Sequence, residues 1–150
     1  MKSLLLLTLT LILISSGCQT QTNTTNKSNV NQPAPKAEVL KVDDVVKTFQ
    51  TANLPLNQLE FFNAGSDPDK LFGKPNQYTG KIFWQTKAGM THGIESFAND
   101  ADLQARKKLL ETDKKFTGDF FYTHKNILLR IHKEMVPETA TKFEQALKSL

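Results

Sequence analysis

The chain of 150 residues is long enough for one folded domain with appendages, and its formal net charge is +4. With 39% hydrophobic and 23% charged residues the composition is ordinary for a globular protein, and the positive charge is too diffuse to indicate nucleic-acid binding. The one cysteine excludes an intramolecular disulfide.

The amino-terminal residues have the layout of an export signal. A charged start at Lys2 is followed by an apolar run over residues 4–14, which is short for crossing a bilayer. Small residues at 15–17 then precede Cys18. The sequence therefore predicts a signal peptide over residues 1–17.

The residues around Cys18 resemble the lipobox of bacterial lipoproteins. In that family a peptidase cleaves before the cysteine, whose thiol carries diacylglycerol. Ser15 departs from the pattern, because the third position before the cysteine is usually leucine. The resemblance implies that Cys18 is the lipidation site and that its acyl chains anchor the protein to the extracytoplasmic face of the cell membrane. Apart from these covalent chains, no cofactor is expected.

Residues 19–36 are rich in Thr, Asn and Gln and have no apolar periodicity. Such a segment cannot offset the entropy of its ordering by burial. We therefore expect residues 18–36 to form an acylated cysteine with a flexible polar tether. Residues 37–150 are expected to form a single extracytoplasmic domain.

Hydrophobic periodicity after the tether predicts helix, strand pair, helix, strand pair and helix. The predicted helices cover 43–52, 100–116 and a segment from Pro137, and the predicted strands cover 81–85, 93–97 and both arms of a hairpin within 119–132 that turns at Lys125 and Asn126. The segment 56–81 is rich in loop signals, and a short helix is predicted after Asp67 and Pro68. This order predicts an α+β fold: a small antiparallel sheet of about four strands, in two pairs, with about three helices packed mainly on one face.

Alternation and helical spacing indicate which residues enter the core. In the hairpin, one face carries Phe120, Tyr122, Ile127, Leu129 and Ile131, and the other carries Phe121, Thr123, Leu128 and Arg130. We expect the first set to face the core. The apolar stripe of the second helix is predicted at Ala101, Ala105, Leu109 and Phe116, flanked by Leu103 and Leu110.

The three histidines do not predict a metal site. His124 and His132 point to opposite faces of the hairpin in the expected register, and His92 precedes a strand. No HxH, HExxH or cysteine pair occurs, and Cys18 is assigned to the anchor. We predict no metal.

No pattern predicts a catalytic centre either. Ser96 and Glu95 lie on opposite faces of one strand, and no GxSxG motif occurs. Asp67 and Asp69 could act as the two acids of a glycosidase, but two acids around a proline are more often a helix start. We therefore predict no catalytic residues and a protein that is not an enzyme.

Two groups of surface side chains remain as candidates for binding. The basic residues of the second helix, Arg106 to Lys108 with Lys114 and Lys115, could attract anionic lipid or wall polymer, although a solvated face with Glu111 paired to Lys107 and Lys115 is the favoured interpretation. The aromatic pairs 61–62, 83–84 and 120–121 each place one ring on either side of an extended segment. Rings outside the core need a covering helix, strand or partner. The predicted binding surface is Phe61, Phe62, Trp84, Phe121 and Arg130. The alternative, which the sequence leaves open, is that other parts of the domain cover these rings.

Three segments look like parts of small uncharacterised lipoproteins of Gram-positive bacteria. They are LFGKPNQYTGKI, GIESFANDADLQARKKLL and YTHKNILLRIHKEMVPETATKFE. The resemblance implies an extracytoplasmic, membrane-tethered α+β domain and carries over no catalytic residue.

These observations favour a membrane-anchored cell-surface lipoprotein that binds without catalysis. Its expected partners are the lipid bilayer, through acylated Cys18, and a protein or envelope component, as in immunity or exclusion lipoproteins. No nucleic acid is expected, and the sequence indicates no oligomeric state. The alternative is a structural or assembly accessory of an envelope or conjugation machinery, and a small hydrolase is least favoured.

Overall fold

The structure, a computed structural model, describes residues 38–86 and 89–150. In chain order the elements are α1 (Val42–Thr51), β1 (Asn57–Phe62), β2 (Gly80–Gln85), β3 (Thr91–Ser96), α2 (Asp100–Thr112), β4 (Phe120–His124), β5 (Ile127–Ile131) and α3 (Pro137–Lys148), with a short 3₁₀ helix, Lys114–Phe116, after α2. The predicted signal peptide, the lipidation site and the tether lie outside the described residues. In the part described, no helix is long and apolar enough to span a membrane.

The five strands form one antiparallel sheet in the order β1-β2-β3-β5-β4. The two predicted strand pairs are confirmed as the β2–β3 and β4–β5 hairpins. They join through β3 and β5, where Ile94 pairs with Leu129. The predicted α+β class is therefore confirmed, with five strands where about four were expected.

The unpredicted strand is β1, at one edge of the sheet. Asn57 pairs with Gln85 and Glu60 with Phe83, so β1 has two residues between these pairs where β2 has one. Gln58 has a positive φ of 48° within this irregularity. A bulge of this kind breaks the alternation of side chains between faces. The segment consequently has no strand pattern in the sequence.

One face of the sheet carries the larger apolar core, which α1 and α3 cover. Helix α1 contributes buried residues at helical spacing, and α3 contributes Ala140, Phe143 and Leu147. The strands contribute Ile82, Trp84, Ile94, Ile127, Leu129 and Ile131, with Phe120 and Tyr122 packed at the margin. The predicted core face of the last hairpin is thus confirmed.

Helix α2 packs on the opposite face, through Leu103 and Leu110. These leucines pack with Tyr78, Phe97 and Leu128 in a smaller core. The predicted stripe through Ala101, Ala105 and Leu109 is wrong: both alanines are exposed, and the Leu109 side chain is 59% exposed. The cause is Arg106, whose side chain lies on the inward face between Leu103 and Leu110 and is paired there with Glu95 of β3.

The predicted short helix after Asp67 is also wrong, because residues 67–72 contain turns and a bend but no helix. The Asp67 carboxylate accepts hydrogen bonds from the backbone N–H groups of Leu71 and Phe72, which hold the segment in a tight loop. This loop carries Asp67 and Asp69 to the α2 face of the sheet.

Candidate functional site

Asp67 is a buried carboxylate with both oxygens occupied. Oδ2 accepts hydrogen bonds from the N–H groups of Leu71 (2.8 Å) and Phe72 (3.0 Å) and from the hydroxyl of Tyr78 (2.7 Å). Oδ1 accepts from Lys81 Nζ at 2.9 Å. The preceding turn is held by Asn63, whose Oδ1 accepts from the two following N–H groups at 65 and 66.

Lys81 brings its ammonium to this loop from β2, and its side chain has no exposed surface. Nζ donates to Asp67 Oδ1 (2.9 Å), Asp69 Oδ2 (2.7 Å) and the Tyr78 hydroxyl oxygen (3.1 Å). An ammonium has three donors, so every one is used. The rings of Phe62, Tyr78 and Phe83 surround it, with centroids 4.8–5.4 Å from Nζ.

A second cation, Arg106 of α2, extends this network to β3. Its Nε and Nη2 donate to the two carboxylate oxygens of Glu95 at 2.9 and 2.8 Å, a bidentate pair. Nη2 also lies 3.4 Å from Asp69 Oδ2, which links both cations through one carboxylate. We call Asp67, Asp69, Lys81, Glu95, Arg106 and Tyr78 the ionic cluster.

The ionic cluster holds Asp67 and Asp69 ionised. Burial alone would raise the pKa of Asp67, but hydrogen bonds from Tyr78, Lys81 and the backbone outweigh it, and the pKa lies well below its usual range. The pKa of Asp69 is lowered in the same way, chiefly by Lys81 and then by Arg106. Burial and the neighbouring Asp67 raise the pKa of the Tyr78 hydroxyl far above its ordinary value. A glycosidase needs one carboxyl group that holds a proton, and these two aspartates do not meet that need.

An open groove of about 470 Å³ runs along α2 beside the ionic cluster. We call it the α2 groove; its lining residues are Asp69, Phe83, Thr91, Glu95, Arg106, Leu109, Leu110, Asp113, Lys115, Phe116 and Arg130. The Phe83 ring lies close to the backbone of Gly93: a Cβ at position 93 would lie 3.1 Å from a carbon of this ring. A larger residue at position 93 would therefore require the Phe83 ring to shift by a few tenths of an ångström.

Arg130 of β5 is the second guanidinium group of the α2 groove. Its Nη1 donates to Asp119 Oδ2 at 2.7 Å, and its guanidinium carbon lies 4.7 Å from the Phe116 ring centroid. Asp119 also accepts from the N–H of Lys133. Within residues 38–86 and 89–150, Nε and Nη2 of Arg130 have no acceptor. These N–H groups are the donors that a groove ligand could use.

The predicted binding surface is not assembled as one patch. Phe61 is 50% exposed at the sheet edge, whereas Phe62 is buried beside Lys81. Trp84 is fully buried in the larger core, because alternation along β2 turns it away from the α2 groove. Phe121 is partly buried against the smaller core. Of the five, only Arg130 lines the α2 groove.

His92 lies within β3, so its predicted position before a strand is wrong. His92 is buried, and its Nδ1 accepts from the N–H of His132 at 3.1 Å. Burial lowers the pKa of His92 to about 4, assisted by the charges of Arg130 and His132. Among the residues that the structure describes, no group of three His, Cys, Asp or Glu side chains could hold a metal ion.

Sequence reasoning missed the ionic cluster because its cations resemble solvent-facing residues. Lys81 shares a strand face with Phe83, a signal that it points inward. Arg106 stands three residues after Leu103 and four before Leu110, which puts all three on one helix face. In both cases the apolar neighbours at strand or helix spacing were the available signal.

Fold and cluster together define a small α+β domain with a buried ionic cluster beside an open groove. In comparisons of the chain with protein-family models, curated proteins and solved structures, no match was found.

Proposed function

We propose that this protein is a lipid-anchored, extracytoplasmic binding module, which holds a peptide segment of a partner protein in the α2 groove. The observation that carries the proposal is the groove itself: about 470 Å³, open, and lined by apolar side chains together with charged groups of both signs. This size is in the range of pockets that hold small ligands or short segments.

The chemistry of the lining favours a peptide. Phe83, Leu109 and Phe116 offer apolar and aromatic contact area. Arg130 has N–H donors without a protein acceptor among the described residues, and Asp69 is partly exposed and can accept. A peptide presents donors, acceptors and apolar side chains together, so it can use all three kinds of contact.

Binding is favoured over catalysis by the state of the carboxylates. Asp67 and Asp69 are tied to Lys81, and Glu95 is tied to Arg106 through two hydrogen bonds. The lowered pKa values of Asp67 and Asp69 keep both as hydrogen-bond acceptors, so neither offers a proton to the leaving group of a substrate.

Site-specific photo-crosslinking tests the groove. A photoreactive amino acid is placed at Leu109, which lines the α2 groove, or at Val136, which does not; their side chains are 59% and 58% exposed. In native cells we expect a discrete adduct from position 109 that Lys115→Glu weakens, and none from position 136. The same adducts from both positions, or none from position 109, would contradict a groove ligand.

The anchor is tested separately at Cys18. We expect Cys18→Ser to release the protein from membranes and to abolish the incorporation of labelled fatty acid, because the acyl chains are proposed to be the only attachment. Continued labelling of the Ser variant would refute the assignment.

A further inference from the structure

We propose that Lys81 and Asp67 are the precursors of an intramolecular amide bond, an isopeptide crosslink between β2 and the loop that precedes it. The inference is independent of any groove ligand. Four features of the ionic cluster support it. The buried amine of Lys81 contacts the carboxyl group of Asp67, and a second carboxylate, Asp69, accepts from the same amine. Three donors surround the oxygen of Asp67 that would remain in the amide, and aromatic rings enclose the amine.

The reacting groups already touch. Lys81 Nζ lies 2.9 Å from Asp67 Oδ1, and neither side chain has exposed surface. Because the two groups are held in contact, little translational or rotational freedom remains to be lost when Nζ turns toward Cγ, and this lowers the barrier to attack. The resting state is an ion pair, and the low pKa of Asp67 makes the reactive neutral pair a minor population. Bond formation is therefore expected to follow folding slowly.

Asp69 is placed as the base. Its Oδ2 accepts from Lys81 Nζ at 2.7 Å, and this side chain is 44% exposed while Asp67 is enclosed. A carboxylate on the nucleophilic nitrogen can take a proton from it after attack and deliver that proton to the leaving oxygen.

Three donors converge on Asp67 Oδ2, the oxygen that remains in the amide. They are the N–H groups of Leu71 and Phe72 and the hydroxyl of Tyr78, at 2.8, 3.0 and 2.7 Å. When nitrogen attacks Cγ, negative charge develops on this oxygen. Preorganised donors at this distance stabilise such an oxyanion, as they do in acyl transfer.

The step balances without a co-reactant. One ammonium proton of Lys81 passes along the 2.9 Å hydrogen bond to Asp67 Oδ1. The resulting amine attacks Asp67 Cγ, so that an N–C bond forms, and Asp69 takes a second proton from the nitrogen. That proton passes to Oδ1, the Cγ–Oδ1 bond breaks, and Oδ1 leaves as water. Ammonium plus carboxylate thus become amide plus water.

The surroundings favour the product. The rings of Phe62, Tyr78 and Phe83 enclose Nζ and limit the access of water that would reverse the reaction. The amide product also carries no charge, so burying it avoids the desolvation cost of burying the ammonium and the carboxylate. The crosslink would join two residues 14 positions apart in a chain whose one cysteine allows no internal disulfide.

Tryptic mass spectrometry of the wild-type protein tests the proposal. Without the crosslink, cleavage yields the separate peptides 48–70, 71–81 and 82–87. With it, Lys81 is not a cleavage site, and 48–70 is recovered joined to 71–87 in a branched peptide lighter by one water. We expect the branched peptide in folded protein after overnight incubation, and none in protein kept in denaturant. Recovery of only the separate peptides from folded protein overturns the crosslink.

Asp69→Asn, with Asp43→Asn as the matched control, tests the base. Asp43 is exposed in α1, and its substitution makes the same change of charge. We expect the branched peptide to form roughly 100-fold more slowly in Asp69→Asn, the scale of a lost general base, and at the wild-type rate in the control. Equal rates in both variants would refute the role of Asp69.

Discussion

Asn126 shows how much structure a single side chain can hold. The tight turn predicted at Lys125 and Asn126 is confirmed, and the residue with positive φ is Lys125, at 49°. Asn126 acts through its side chain: Oδ1 accepts from the N–H of Leu40, and Nδ2 donates to the carbonyl oxygens of Leu40 and Phe97. It thereby joins the start of the domain, the end of β3 and the last hairpin.

Asn126→Asp should destabilise the domain strongly. The change keeps the shape and the acceptor but removes both N–H donors, so the buried carbonyl oxygens of Leu40 and Phe97 would face a carboxylate. We expect a loss of about 2–4 kcal/mol in the free energy of unfolding, measured with urea. Asn76→Asp, at an exposed turn with positive φ, is the control and should stay within about 0.5 kcal/mol. Equal effects of the two changes would contradict this account.

At the scale of elements, periodicity predicted those that repeat regularly and missed the irregular one. Helices α1 and α3 and the two hairpins carry clean apolar spacing, and all four were found. Strand β1 contains a bulge at Gln58, so its alternation is broken. Helix α2 was found, but its face was misjudged, since a paired arginine occupies an inward position that hydrophobicity assigns to solvent.

The orientation of α2 can be checked with two neighbouring leucines. Leu110 is buried in the smaller core, and Leu109 is 59% exposed. We expect Leu110→Ala to lower the free energy of unfolding by about 2–3 kcal/mol and Leu109→Ala to change it by less than about 0.5 kcal/mol. Chemical denaturation measures both. A larger loss in the free energy of unfolding for Leu109→Ala than for Leu110→Ala would contradict the observed orientation and support the apolar stripe predicted from periodicity.

At the scale of the whole molecule, the two faces of the sheet differ in chemistry. The face under α1 and α3 is an apolar core, and hydrophobic patterning predicted it well. The face under α2 buries Lys81, Glu95 and Arg130. Charged side chains of this kind become predictable only when their partners are known, because nothing in the spacing of Asp67 or Asp119 indicates which cation each will meet.

Protonation of His92 is expected to lower the stability of the whole fold as the pH falls from 6.5 to about 4. Its pKa is lowered from 6.5 to about 4 in the folded state, so between these values the unfolded chain binds a proton that the folded chain does not. This contribution is fully present above 6.5 and is lost as the pH falls through 4. We expect a loss on the order of 3 kcal/mol across the window. In urea unfolding at a series of pH values, the free energy of unfolding should decline less with falling pH in His92→Gln than in the wild type. An equal decline in both proteins would show that His92 is not its cause.

The turn between β4 and β5 also brings the two ends of the described domain together. Lys125 Nζ lies 3.0 Å from Glu38 Oε2 and 2.7 Å from the carbonyl oxygen of Leu150, so one side chain bridges both ends. Ends this close can be joined to two adjacent points of a host protein without strain. The domain is therefore suited to insertion into an exposed loop of a reporter protein, with short linkers on both sides and its fold left intact.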